Sequence, residues 1–340
     1  MKPIIEVTNL QKHFKVYKHH RGFLGAFRNL ASRAHTLVRA VDDISFEIRP
    51  GELVGYLGPN GAGKSTTIKM LSGLLVPSGG ELQVNGRIPW QERQDHVARI
   101  GAVFGQRTTL WWDLPVVESL DLLQHIYQIP PHRFRQNLAE FRQLLDMEPF
   151  LYTPVRSLSL GQRMRADLCA AMLHDPDLLF LDEPTIGLDV VAKERIRQFI
   201  RQINSERNTT ILLTTHDLSD VEKLCNRVMI IDRGRLLFDG QLETLQDQFG
   251  GKRELMVDFA QVYVDATVDG AEVVEQDGPR VTYRFDRREL TASDLIGRLS
   301  ARYRILDLAV REPDIEATIR RIYEERLLDR GESRDEKPIC

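Results

Sequence analysis

Residues Leu53-Val54-Gly55-Tyr56-Leu57-Gly58-Pro59-Asn60-Gly61-Ala62-Gly63-Lys64-Ser65-Thr66 decide the fold. The first five read as a buried strand, and Gly58 to Ser65 completes the pattern G-x-x-x-x-G-K-[ST]. A helix is expected from Ser65 to Leu75, stopped by the turn cluster Pro77-Ser78-Gly79-Gly80. Strand, glycine-rich loop and helix in that order suit a phosphate group. Glycines let successive backbone N–H groups turn toward one anion, and the helix N-terminus adds the positive end of its dipole. Lys64 is then placed to reach the β- and γ-phosphates and the Ser65 hydroxyl to ligate Mg²⁺. A chance glycine-rich turn is the weaker reading, because the whole pattern stands in its required context.

Working outward, Leu178-Leu179-Phe180-Leu181 runs directly into Asp182-Glu183. Four apolar residues make a central strand, and two acids leave its carboxyl end, where open α/β sheets bind ligands. Asp182 is expected to hold Mg²⁺ through water, and Glu183 to orient or deprotonate an attacking water. An acidic turn after a strand means little alone. Beside a phosphate loop it means more.

The rest of the chain supports an α/β fold. Short strands are expected at 4–8, 44–48 and 210–214, and helices at 116–127 and 131–145. Strands separated by helical stretches indicate a mostly parallel sheet with helices on both faces. After about Gly250 the pattern changes to short strands (255–259, 271–274, 280–285, 305–310) with helices at 292–303 and 315–328. We expect domains at 1–247 and 248–330, the second a small α+β unit, with a frayed polar tail at 331–340.

Composition sets outer limits. With 340 residues, 42% hydrophobic and 28% charged, the chain is long enough for about two globular domains. A net charge of −3 argues against wrapping nucleic acid over most of the surface. Cys169, Cys225 and Cys340 are odd in number and far apart, which fits reduced thiols in a cytosolic protein. No signal peptide is read at the N-terminus, and no uncharged apolar run has the length of a membrane helix. The charge is unevenly spread, however. Lys12, Lys15, Lys18, Arg21, Arg28, Arg33 and Arg39 give +7 between residues 12 and 39 with no acid among them, so the remainder carries −10.

With these motifs in view, residues 4–245 resemble the ATP-binding cassette (ABC) ATPases, P-loop NTPase cassettes with a helical subdomain. Gln106 in Phe104-Gly105-Gln106 matches the family's Q-loop, and Leu158-Ser159-Leu160-Gly161-Gln162 its signature. Ile186-Gly187-Leu188-Asp189 matches the D-loop, and His216 in Thr214-Thr215-His216-Asp217 the switch histidine. The family usually has Gly where Leu160 stands. The resemblance implies ATP and Mg²⁺ as ligands, with Glu183, His216 and Gln106 catalytic. It implies nucleotide contacts from Gly58, Pro59, Asn60, Gly61, Ala62, Gly63, Lys64, Ser65, Thr66, Ser159, Gly161 and Gln162, and metal contacts from Ser65, Gln106 and Asp182. Ser159 can also cap the helix starting near Leu160, which makes an anion site of its hydroxyl and the neighbouring N–H groups. In the family that site is supplied in trans, so the resemblance implies a dimer, homomeric or of paired cassettes, closing on two nucleotides.

Thr185-Ile186-Gly187-Leu188-Asp189 and the α+β tail are similar to ATPase subunits of the exporter branch for drugs, antibiotics and polysaccharides, whose permease is a separate membrane protein. That implies a peripheral location on the cytoplasmic face of the cell membrane and no nucleic-acid partner. The alternative is a non-transport cassette acting on nucleic acid or ribosomes. Three features stay open in the sequence. The adenine-stacking group is Tyr17 or His35. Trp111-Trp112 either anchors a permease helix or packs within the subdomain. The basic insertion, with Phe23, Phe27 and Leu30 on one helical face, either rests on anionic lipid or is a solvated loop.

Overall fold

The computed structural model describes residues 2–17, 35–105, 107–249, 252–286, 289–311, 318–319 and 322–323. The chain divides into two compact units between Gln241 and Leu242.

The first unit is built on a six-stranded sheet. Its strands are β3 (Leu53–Leu57), β5 (Ile100–Phe104), β6 (Leu178–Asp182), β7 (Thr210–Thr214), β8 (Arg227–Asp232) and β9 (Arg235–Gln241), in the order β5-β6-β7-β3-β8-β9. All pair in parallel except β9, which returns antiparallel along β8. The inner strands are continuous apolar runs because both of their faces are covered. β7 is buried along its whole length.

A second, antiparallel sheet lies in the order β2-β1-β4, from β1 (Ile5–Tyr17), β2 (His35–Ile48) and β4 (Gly79–Val84). Ile5, Leu10, Ile44 and Ile48 of this sheet share one core with Tyr56, Phe180, Leu212 and Met229 of the large one. The basic segment therefore starts inside the fold. Residues 12–17 and 35–39 extend β1 and β2 as an antiparallel ribbon up to the pair Tyr17↔His35, well past the expected strands at 4–8 and 44–48. Phe23, Phe27, Leu30 and the basic residues Lys18, Arg21, Arg28 and Arg33 lie outside the described residues.

Helices complete the unit: α1 (Lys64–Leu71), α2 (Arg93–Val97), α3 (Val116–Ile126), α4 (Pro131–Leu144), α5 (Leu160–Met172), α6 (Val190–Arg207) and α7 (Leu218–Leu224). α1 ends at Leu71, four residues short of the expected end, and Gly73 two residues later has φ +75°, which a helix does not continue through. α3 and α4 fall within a residue of their expected bounds. Pro131 opens α4, where its fixed φ suits the first turn and its missing N–H costs nothing.

The second unit holds α8 (Leu242–Phe249) and a four-stranded antiparallel sheet, order β11-β12-β10-β13. Its strands are β10 (Arg253–Phe259), β11 (Ala271–Asp277), β12 (Arg280–Phe285) and β13 (Ile305–Arg311). α9 (Ala292–Ser300) places Leu295 and Leu299 in a core with Leu255, Val257, Tyr283 and Phe285. The four strands and α9 were all legible; most of the helix expected at 315–328, and the tail at 331–340, lie outside the described residues. Among the described residues no helix is long and apolar enough to cross a membrane.

Candidate active site

Three neighbouring strands deliver the site. β3 ends at Leu57 and turns into the phosphate loop, β6 ends at Asp182, and β7, lying between them, ends at Thr214. They run in parallel, so their carboxyl ends share one edge. A cleft of about 800 Å³ opens there, its lining including Gly58, Pro59, Asn60, Ser65, Asp182, Glu183 and His216.

The loop conformation depends on glycine where the chain is tightest. Gly63 caps α1 at φ +113°, and a β-carbon there would come within 2.5 Å of the Ala40 carbonyl oxygen on β2. The Lys64 side chain, almost wholly buried, curls into the loop and donates to the carbonyls of Gly58 (2.6 Å) and Pro59 (3.3 Å). Burial pulls its pKa below the ordinary lysine value, and Glu183 and Asp182 oppose that shift. Thr66 follows in the first turn of α1.

Asp182 and Ser65 converge as expected, with Ser65 Oγ 3.4 Å from Asp182 Oδ1. Thr214 Oγ1 also donates to Asp182 Oδ1, at 2.5 Å, a partner that sequence reasoning missed. Glu183 takes a left-handed conformation (φ +55°), unusual for a residue with a side chain, and its N–H donates to the Thr214 carbonyl at 2.9 Å. Its carboxylate lies 3.3 Å from Nδ1 of His216. Gln106 lies outside the described residues, but the preceding Gly105 N–H donates to the Asp182 carbonyl at 2.9 Å, so β5 ends on the same edge.

The signature residues stand apart. Ser159, Gly161 and Gln162 are not among the described residues that line the cleft. They form the start of α5 as a reciprocal cap: Ser159 Oγ accepts from Gln162 N–H at 3.2 Å, and Gln162 Oε1 accepts from Ser159 N–H at 2.9 Å. Leu160 lies against the D-loop, its Cδ2 3.1 Å from where a β-carbon on Gly187 would stand.

Two further residues carry structural weight that the motifs did not flag. Asp167, on α5 and buried, accepts from Thr108 Oγ1 (2.7 Å), Thr109 N–H (3.0 Å) and Thr109 Oγ1 (3.3 Å), which ties the segment after Gln106 to the signature helix. Burial pushes its pKa up to about 6, against the lowering effect of these donors. Phe14 on β1 is an exposed aromatic opposite Val38, two residues from the Ala40 that borders the phosphate loop. The side chains of the expected adenine partners, Tyr17 and His35, lie outside the described set. The only signal for Asp167 was an acid inside an otherwise apolar helix face.

The chain is similar to known proteins over most of its length. A sequence profile described as ABC transporter matches residues 41–186. The ABC transporter ATP-binding protein NatA of Bacillus subtilis (strain 168) is 35% identical over 211 residues, covering 62% of this chain and 85% of that protein. The daunorubicin resistance ATP-binding protein DrrA3 of Streptomyces coeruleorubidus is 33% identical over 288 residues, 82% of this chain and 89% of that one. Among solved structures, an ATP-binding subunit of an ABC transporter superposes with a TM-score of 0.60 at 26% identity, covering 73% of this chain and 93% of its own. A phosphate loop, a strand-end acid pair and a histidine on one sheet edge, in a chain so closely related to these subunits, make this protein a member of the ABC transporter family, an ATP-binding subunit with ATPase activity.

Proposed function

We propose that this subunit powers an exporter by closing, as a dimer, on two MgATP and reopening when the nucleotide is hydrolysed. The observation that carries the reading is the Glu183 carboxylate 3.3 Å from His216, on the sheet edge that also bears the phosphate loop. The loop N–H groups and Lys64 hold the phosphates. Glu183 orients an in-line water and takes its proton as the bond to the γ-phosphoryl group forms and the bond to ADP breaks. His216 is proposed to hold the Glu183 carboxylate and to face the γ-phosphate.

Ser65 and Asp182 offer oxygen donors suited to Mg²⁺, with Gln106 proposed beside them. Among the described residues no cluster of three His, Cys, Asp or Glu is available to a metal, so the fit is to an ion completed by substrate phosphates and water. Bound there, Mg²⁺ would neutralise phosphate charge. The dimer is supported by the incompleteness of the cleft within one chain. Ser159, Gly161 and Gln162, absent from its lining, are proposed to close the partner's site through the capped start of α5.

Export, rather than another task for the same engine, is supported by relatives such as DrrA3 that carry resistance in their names over most of this chain. Nothing in the comparisons favours the nucleic-acid or ribosome alternative. A separate permease would hold the subunit at the inner membrane face, and the exposed pair Trp111 and Trp112, beside α3, is proposed as part of its docking surface. Glu183→Gln is expected to keep ATP affinity while abolishing turnover, and to accumulate a nucleotide-bound dimer by size-exclusion chromatography with MgATP. Substantial residual hydrolysis would count against Glu183 as base; a strictly monomeric Glu183→Gln protein would count against the dimer.

A further inference from the structure

Asp220, wholly buried near the start of α7, joins three pieces of chain around the catalytic pair. Its Oδ2 accepts from Thr185 Oγ1, two residues beyond Glu183, and from Thr215 Oγ1 at 3.4 Å, one residue before His216. Its Oδ1 accepts from Arg197 Nε at 2.7 Å, on α6, and the same guanidinium donates to Ser219 Oγ at 2.9 Å. Thr185, Thr215 and Arg197 are all buried. Thr215 Oγ1 in turn accepts from the Asp217 N–H at 2.9 Å, and Lys193 Nζ pairs with the Asp217 carboxylate at 2.5 Å, so the His216 turn is pinned on both sides.

The arrangement answers a physical need. A left-handed Glu183 is strained and persists only where its surroundings over-determine it. Behind Glu183 the chain passes through Pro184 to Thr185, whose hydroxyl reaches the same carboxylate oxygen that holds Thr215. One buried oxygen therefore sets the distance between the arm bearing Glu183 and the arm bearing His216, and Arg197, bonded to the other oxygen, keeps the carboxylate from turning.

We infer that the Asp220–Arg197 pair is a positioning device for hydrolysis, and that the Thr185 hydroxyl is the link through which it fixes Glu183 against His216. The inference rests on the reading of Glu183 and His216 as the hydrolytic pair. Asp220→Ala strands a buried Arg197 and is expected to unfold the protein, so the test uses Thr185. Thr185→Val keeps shape and the Asp220–Arg197 pair but removes the link. It is expected to lower kcat about tenfold with KM for ATP within about twofold, since small misplacements of a reacting group are costly. Thr185→Ser, which keeps the hydroxyl, is expected to restore most of kcat. Unchanged kcat in Thr185→Val, a change confined to KM, or failure of Thr185→Ser to restore activity would each overturn the inference. Glu183→Gln assayed in parallel separates the two claims: if that variant still turns over, the catalytic reading fails first; if it is inactive and Thr185→Val is fully active, only the positioning role is lost.

Discussion

The Glu183 carboxylate sits 3.3 Å from Nδ1 of His216, across the ends of the neighbouring strands β6 and β7. Neither residue needs a loop excursion to reach the other, because parallel pairing already brings Asp182 opposite Thr214. His216→Ala is expected to lower kcat by roughly 10²-fold or more while leaving ATP binding intact, as for loss of a group acting mainly in the transition state. Steady-state kinetics with a parallel nucleotide-binding titration decide it. A variant that loses affinity with kcat preserved contradicts this role.

Phe14 offers an exposed ring paired opposite Val38, on the ribbon whose Ala40 borders the phosphate loop, and Lys12 Nζ lies 5.3 Å from its centroid. If adenine stacks there, Phe14→Ala should weaken ATP binding by about tenfold, in line with roughly 1–3 kcal/mol for base stacking on an aromatic ring. Phe14→Trp should bind normally. Equal affinity for wild type and Phe14→Ala would return the choice to other residues.

Gly61 and Gly63 both have positive φ, +82° and +113°, but their surroundings differ. Nothing stands within 4 Å of a β-carbon on Gly61, whereas one on Gly63 meets the Ala40 carbonyl at 2.5 Å. Gly61→Ala is expected to cost about 1–2 kcal/mol from conformation alone. Gly63→Ala should cost at least twice that, because backbone of β2 must move as well. Denaturant midpoints measured without nucleotide test the order, and equal losses would refute it.

Asp167 carries a carboxyl whose pKa burial has pushed from 3.8 up to about 6. The folded state thus holds this proton more readily than the unfolded state. Its contribution to stability is fully present below about pH 3.8, fades as pH rises, and is gone above about 6. Asp167→Asn keeps an acceptor for Thr108 and Thr109 without the buried charge. At pH 7.5 the variant should be at least as stable as wild type, by up to about 3 kcal/mol, with the gap narrowing toward pH 5. A variant less stable than wild type at pH 7.5, or a difference between the two that does not change from pH 7.5 to pH 5, is the contrary result.

The sequence by itself determined the phosphate loop, the acid pair after β6 and the strand before the switch histidine, because each is a short-range pattern in which spacing and chemistry coincide. Leu178–Leu181 and Ile211–Leu213 are unbroken apolar runs, as strands buried on both faces require. β5 and β8 went unread although they are largely buried, and β4 and β9 are half-exposed strands with glycine at an end or inside, whose pairing rests on distant partners. The three-stranded sheet and the ribbon to Tyr17 likewise depend on pairing between residues tens of positions apart.

Only the tertiary structure decided which acids matter beyond the motifs. Asp167 and Asp220 look like ordinary helix residues in sequence, and burial with several donors from distant segments is what distinguishes them. The order β6-β7-β3 also had to be seen in space. It places Glu183, His216 and Lys64 on one edge although they are 33 to 152 residues apart, because parallel strands joined by crossover helices put all their carboxyl ends on the same side.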